Sequence, residues 1–136
     1  FERGNARAAL AEVKSALIED PDLADARQLA GRIHLHMGAY ADAVKELRRA
    51  QALGLGSPQL DVELATALLR DGKPDAVLAL LGTSSLEARN PAEALALRGS
   101  AQRLRGEAAL AARDFEAALQ NDVRNVRALR GLARLA

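Results

Sequence analysis

The chain has 136 residues, a formal net charge of +1 and no cysteine, which fits one compact domain or a short repeat array and excludes disulfides and cysteine-based zinc sites. Apolar residues make up 49% of the chain but aromatic residues only 2%, so the core must be built from aliphatic side chains and alanine. Alanine and leucine are strong helix formers, which favours an all-α protein. The near-neutral charge gives no global attraction to nucleic acid or to a membrane surface.

Helices are predicted, in chain order, over residues 5–19, 22–37, 40–53, 58–71, 74–81, 91–105, 108–121 and 124–135, about eight in all. Ser57-Pro58 and Asn90-Pro91 each place an N-cap residue before a proline at the first helical position, and Asp22 is expected to cap the second helix. The fifth helix should stop at Gly82, with an irregular stretch and a hinge following to Asn90. No apolar run reaches the roughly 18–20 residues that span a bilayer, so no direct membrane span is expected.

A 34-residue internal repeat organises these helices. Five series of residues recur at this spacing: Gly4, Gly38, Gly72 and Gly106; Ala9, Ala43, Val77 and Ala111; Val13, Leu47, Leu81 and Phe115; Ala16, Ala50, Ser84 and Ala118; and Gly31, Ala65, Gly99 and Ala133. The first series should close the first helix of each unit in the left-handed conformation. The small residues should let the helices of a unit approach closely, with Leu47 and Phe115 between them. Since such a helix pair cannot bury its apolar face alone, the repeat predicts stacked antiparallel helix pairs.

At the positions that recur every 34 residues, the chain resembles the tetratricopeptide repeat family. Residues 24–57 match its pattern at Gly31, Gly38, Tyr40, Ala43, Leu47 and Ala50, and residues 92–125 match it at Gly99, Gly106, Ala111, Phe115 and Ala118. The resemblance implies an all-α, right-handed α-solenoid, with a partial repeat at 1–23, repeats at 24–57, 58–91 and 92–125, and a partial repeat at 126–136. We therefore expect a piece of a longer solenoid. The chain departs from the pattern where an aromatic residue is usual, because Arg27, Asp61 and Leu95 stand there.

The sequence contains no convincing catalytic or metal-binding constellation. His34 and His36 are two residues apart, about 200° around a helix, so they cannot share a metal ion. The acids between Glu19 and Asp25 are expected to serve as caps and helix-dipole partners. Gly54-Leu55-Gly56-Ser57 has no following lysine and no preceding strand, so it predicts a helix–helix turn rather than a phosphate loop. We expect neither enzyme activity nor a cofactor or metal.

The resemblance implies a concave groove, lined by the first helix of each unit, that binds a protein or peptide partner. The candidate groove residues are Gln28, Arg32, His36, Thr66, Arg70, Ser100, Arg103, Arg127, Arg130 and Arg134. The places where some family members clamp a peptide carboxylate hold Gln28, Arg32, Glu63, Glu93 and Leu97, so that clamp is absent. Residues 97–136 contain eight arginines against four acids, and arginine pairs bidentately with carboxylates or phosphates. An extended or acidic peptide is the preferred ligand; alternatively, these arginines only solubilise the surface or pair with acids of further repeats.

A narrower resemblance concerns the segments ADARQLAGRIHLHMGAYADAVKELRRAQALG, LATALLRDGKPDAVLALL and VRALRGLARLA. They are similar to early repeats of bacterial tetratricopeptide lipoproteins associated with PEP-CTERM/exosortase and exopolysaccharide export. This implies a periplasmic or envelope-attached scaffold, with a cytoplasmic location as the alternative. Two other functions stay open: a structural spacer or self-assembly subunit that associates through its terminal helices, and a regulatory domain of a larger enzyme.

Overall fold

The computed structural model describes residues 3–82 and 91–136, and within these ranges the chain forms eight α-helices and no strand. The helices are α1 (Arg3–Glu19), α2 (Ala24–Met37), α3 (Tyr40–Ala52), α4 (Pro58–Arg70), α5 (Pro74–Leu81), α6 (Pro91–Leu104), α7 (Ala108–Asn121) and α8 (Val126–Leu135). Each predicted helix is present, with its ends within about two residues of the prediction. The predicted irregular stretch, its hinge and the Asn90 cap lie outside the described residues.

The chain divides into two compact units, Phe1–Ala67 and Leu68–Ala136, with the boundary inside α4. In the first unit α1 packs against α2, and α2 against α3. In the second unit α5 packs against α6, α6 against α7, and α8 contacts both α6 and α7. Most of these contacts join helices that are neighbours in sequence, and the fold class is the all-α solenoid of helix pairs that the repeat predicted.

The turns after α2, α4 and α6 use glycine at the repeated position. Gly38, Gly72 and Gly106 follow α2, α4 and α6 with φ of 78°, 74° and 79°, which only glycine adopts readily. The Gly38 amide donates to the carbonyl of Leu35 and the Ala39 amide to that of His34, so these bonds satisfy carbonyls at the end of α2. The prediction was wrong for Gly4, because α1 begins at Arg3 and places Gly4 in its first turn, where φ is negative.

The two described N-cap predictions have different outcomes. Ser57 caps α4 as predicted, because its hydroxyl oxygen accepts a hydrogen bond from the Leu60 amide at 3.1 Å. Asp22 does not cap α2, since the helix begins at Ala24 and its N-cap is Leu23, which makes no side-chain cap hydrogen bond. The Asp22 carboxylate instead pairs with Arg49 of α3 at 3.0 Å.

Glycines allow the large core side chains to lie between the helices of each pair. In the first unit Leu47 of α3 packs against Gly31 of α2, where a Cβ atom would lie 2.5 Å from Leu47 Cγ. In the second unit Phe115 of α7, which is fully buried, packs against Gly99 of α6, where a Cβ atom would lie 2.8 Å from the ring. These close approaches confirm the predicted packing. The repeat pattern did not predict that Gly131 of α8 contacts the same ring.

Candidate functional site

The start of α8 is held by a glutamate of α6. Asn125 is the N-cap of α8: its buried side-chain oxygen accepts a hydrogen bond from the Ala128 amide at 2.9 Å. The Asn125 side-chain amide donates to Glu93 Oε2 at 3.1 Å, and Arg127 Nε donates to Glu93 Oε1 at 2.9 Å. Both carboxylate oxygens of Glu93 therefore fix the first turn of α8 against α6.

A cleft of about 790 Å³ lies beside this junction, within the second unit. We call it the arginine cleft and define it by its lining residues: Leu69, Arg70, Glu93, Ser100, Arg103, Leu104, Asp122, Arg124, Asn125, Val126, Arg127, Arg130 and Arg134. These residues come from the end of α4, from α6, from the turn between α7 and α8, and from α8 itself. Six arginines and two acids among them give the cleft a clear excess of positive charge.

Most of these guanidinium groups have no acidic partner among the described residues. Arg127 pairs with Glu93, and the Asp122 carboxylate accepts a hydrogen bond from the Arg124 backbone amide at 3.1 Å. Within residues 3–82 and 91–136, no carboxylate forms a salt bridge with the five other cleft arginines, which are Arg70, Arg103, Arg124, Arg130 and Arg134. Unpaired guanidinium groups on several sides of a cleft favour an anionic ligand, because each can donate two parallel hydrogen bonds to a carboxylate.

A partly buried ion pair joins α6, which lines the cleft, to α7. Arg98 of α6 donates to Asp114 of α7 through Nε at 2.6 Å and through Nη2 at 2.9 Å. Asp114 is only 8% exposed, so its charge requires this partner. The hydrogen bond to Asp114 raises the pKa of Arg98 above its usual value. The pair fixes α6, which carries Ser100 and Arg103 into the cleft.

Comparisons with known proteins identify the architecture. Residues 1–60 match the family model described as tetratricopeptide repeat. The chain has the tetratricopeptide-repeat fold. The crystal structure of MamA aligns with a TM-score of 0.87 at 20% identity, over 98% of this chain and 78% of MamA.

Two structures that are described as tetratricopeptide-repeat proteins are also similar in fold. YrrB, described as a protein with an unusual peptide-binding site, aligns with a TM-score of 0.77 at 22% identity, over 97% of this chain and 77% of YrrB. The second such domain of human RPAP3, solved with an HSP70 peptide, aligns with a TM-score of 0.71 at 24% identity, over 80% of this chain and 91% of that domain. No curated protein sequence matches the chain significantly.

The fold brings six of the ten predicted groove residues together in the arginine cleft: Arg70, Ser100, Arg103, Arg127, Arg130 and Arg134. Sequence reasoning missed the contribution of the turn before α8, namely Asp122, Arg124 and Asn125. A signal for it was present, because an asparagine directly before an apolar helical pattern is a typical N-cap. Had Asn125 been assigned to that role, the preceding residues would have been placed at the cleft edge.

The other four predicted residues lie in the first unit and do not form part of this cleft. Gln28 donates to Glu63 Oε1 at 2.6 Å, and the Nε atom of Arg32 contacts Glu63 Oε2. The Thr66 hydroxyl donates to the Val62 carbonyl within α4 at 2.7 Å, and His36 is exposed near the end of α2. The guanidinium of Arg32 is thus already engaged by an acid of the chain.

Among the described residues, no three His, Asp or Glu side chains are grouped closely enough to hold a metal ion. Nor does any helix in the described part of the chain combine the length and apolar character that crossing a membrane requires.

Proposed function

We propose that this chain is a protein-interaction scaffold, not an enzyme, and that it binds an extended acidic peptide in the arginine cleft. The observation that carries the proposal is the set of five cleft arginines without a carboxylate partner in the described part of the chain. Such groups in an open cleft are hydrated in the free protein and can exchange water for ligand carboxylates. Ser100 adds a hydroxyl that can donate or accept.

The distribution of the arginines favours an extended ligand over a small anion. They come from two helix C-termini, one turn and α8, so a single small anion would meet only one or two of them. Arg130 and Arg134 are four residues apart on α8, a rise of about 6 Å along the helix axis. A peptide that carries several acids can engage both of these and still reach the arginines of α4 and α6.

Peptide binding is a known use of this fold. The descriptions of YrrB and of the RPAP3 domain each refer to a bound peptide or a peptide-binding site. Because both share less than 25% identity with this chain, they support the class of function and not the choice of ligand. The ligand class rests on the charge of the cleft.

Binding should be measured with a fluorescein-labelled peptide of repeated Glu-Ser and with its Gln-Ser counterpart, by fluorescence anisotropy. The acidic peptide should bind, and its Kd should rise with salt because exposed charges are screened. Arg130→Glu should weaken binding by about tenfold, since it reverses one charge within the cleft.

The matched control is Arg113→Glu. Arg113 is exposed on α7, does not line the cleft, and forms no salt bridge within the described residues, so the net-charge change is identical. Equal weakening by both variants would mean that only overall charge matters. Equal binding of the Gln-Ser peptide would show that the cleft does not select acids, and either result contradicts the proposal.

A second candidate function is self-assembly through α8. Val126 and Leu129 are 57% and 48% exposed on this helix, and exposed apolar side chains that lie together favour association. Sedimentation velocity over a range of protein concentrations tests it. A concentration-independent monomer, or association that Leu129→Lys leaves unchanged, would exclude this use of α8.

The periplasmic or envelope-attached location, and a role in exopolysaccharide export, are proposals that rest on the sequence resemblance alone. A regulatory role beside an enzyme is the remaining alternative. Fractionation of cells that express the complete natural gene product, followed by immunodetection, would separate the periplasmic from the cytoplasmic location.

A further inference from the structure

Among the described residues, Glu93 is the one acid whose carboxylate pairs with the side chain of an arginine that lines the arginine cleft. Its Oε1 accepts from Arg127 Nε at 2.9 Å and its Oε2 from the Asn125 side-chain amide at 3.1 Å. Arg127 and Glu93 are both about a quarter exposed. The pair is therefore partly accessible to whatever occupies the cleft.

We infer that Glu93 is an affinity-limiting residue of the arginine cleft, because its tethered carboxylate occupies Arg127 and lowers the positive potential that attracts acidic ligands. The inference rests on the proposed function. Glu93 makes with Arg127 the contact that a ligand carboxylate would otherwise make. A ligand must either bind around this pair, using the remaining arginines, or displace Glu93 from Arg127 at a cost in affinity.

Glu93 also has a structural role, which explains why this acid is present in a cleft lined by six arginines. Asn125 caps α8 while it donates to Glu93, so the glutamate orients the first turn of the helix. A glutamine can keep one hydrogen bond of this kind with its carbonyl oxygen but carries no charge. Glu93→Gln consequently removes the charge and keeps one of the two hydrogen bonds that Glu93 makes at the junction.

The test measures the Kd of the Glu-Ser and Gln-Ser peptides for the wild-type chain and for Glu93→Gln. The variant should bind the acidic peptide about threefold to tenfold more tightly, as expected when one unit of negative charge leaves a partly solvated site. Its affinity for the Gln-Ser peptide should not change. The dependence of log Kd on log salt concentration should become steeper, which a purely structural role of Glu93 would not produce.

Two controls separate charge from structure. Glu116→Gln makes the same change in net charge at an exposed position of α7 that does not line the cleft, and should leave the Kd within about twofold of wild type, because the position is remote and screened. Glu93→Asp keeps the charge but shortens the side chain, and should not tighten binding. Circular dichroism establishes that each variant is folded.

The outcomes distinguish this inference from the proposed function. If the wild-type chain binds the acidic peptide but Glu93→Gln binds it equally or more weakly, the role of Glu93 is refuted and the acidic-peptide scaffold stands. Tightening by Glu116→Gln or Glu93→Asp to the same extent would also refute it. If neither the wild-type chain nor Glu93→Gln binds the acidic peptide, both proposals fall.

Discussion

Phe115 is held between two glycines, and this arrangement permits a sharp test of the packing. Its ring is fully buried between Gly99 of α6 and Gly131 of α8. A Cβ atom on Gly99 would lie 2.8 Å, 2.9 Å and 3.2 Å from three ring carbons, whereas optimal carbon–carbon contacts are about 3.5–4.0 Å. A Cβ atom on Gly131 would lie closer still. Both Cβ atoms would lie against the Cε1 and Cζ atoms of the ring, so a methyl group at either position must displace Phe115.

Gly131→Ala should destabilise the chain even though alanine is the better helix former. Overpacking of a tight core costs about 1–3 kcal/mol, and replacing glycine within a helix recovers up to about 1 kcal/mol. We expect a net loss of about 1–2 kcal/mol in the free energy of unfolding. Gly99→Ala should behave similarly, and the double variant should lose more than the sum of the two, because the ring must then yield to two methyl groups from different helices.

The assay is urea denaturation followed by far-UV circular dichroism, with Phe115→Leu as the second perturbation. In the Phe115→Leu background the smaller side chain leaves room for a methyl group, so Gly131→Ala should be neutral or slightly stabilising. The coupling energy from the double-mutant cycle should be about 1–3 kcal/mol. Gly4→Ala is the control variant and should not lower the free energy of unfolding, because a Cβ atom at this position would have no neighbouring atom within 4 Å. A Gly131→Ala cost that is the same in both backgrounds would refute the argument.

Three further predictions concern polar groups. Burial raises the pKa of Asp61, so the folded chain binds a proton at this carboxyl group more tightly than the unfolded chain does. The chain therefore loses stability as pH rises through the raised pKa. Asp61→Asn should raise the urea midpoint at pH 7 and flatten the dependence of that midpoint on pH in the mildly acidic range. Asp114→Ala should cost about 2 kcal/mol because it leaves Arg98 without its carboxylate, and a double change of Arg98 and Asp114 to leucine should recover part of the loss in the same assay. Ser57→Ala should cost about 1 kcal/mol through loss of the α4 cap while Ser57→Asp retains stability, as thermal melts would show.

The repeat predicts the helices well because each local signal agrees with the stacking. Gly38, Gly72 and Gly106 mark helix ends, and the small residue before each bulky one predicts the close approach at Leu47 and Phe115. The prediction fails where a residue has a competing partner. Asp22 has cap chemistry, but the arginine at position 49, on another helix, takes its carboxylate, and a long-range pair of this kind has no signature in local sequence.

The candidate site is harder to predict than the fold for the same reason. The spacing of Arg127, Arg130 and Arg134 places them on one helical face, so their presence in a common cleft follows from the repeat. Which arginines are neutralised does not follow from it, because ion pairs form between residues about one period apart, such as Arg32 with Glu63 and Arg127 with Glu93. Only the packed helices show that Arg32 is engaged, whereas Arg130 and Arg134 form no salt bridge within the described residues.

A comparison of equivalent positions indicates that the charge of Arg130 is not required by the fold, because Gln28 stands at its place in α2. Arg127, Arg130 and Arg134 of α8 occupy the places that Asp25, Gln28 and Arg32 hold in α2, three periods earlier. The buried face of α8 consists of Ala128 and Gly131, and these arginines lie outside it.

Replacing Arg130 by the residue of α2 therefore separates function from stability. Arg130→Gln should change the free energy of unfolding by no more than about 0.5 kcal/mol, as is usual for exposed positions, and should still weaken binding of the Glu-Ser peptide several-fold. Denaturation and anisotropy on the same preparation measure both quantities. A loss of stability that matches the loss of binding would mean that Arg130 supports α8 itself, whereas binding loss alone assigns the residue to the ligand.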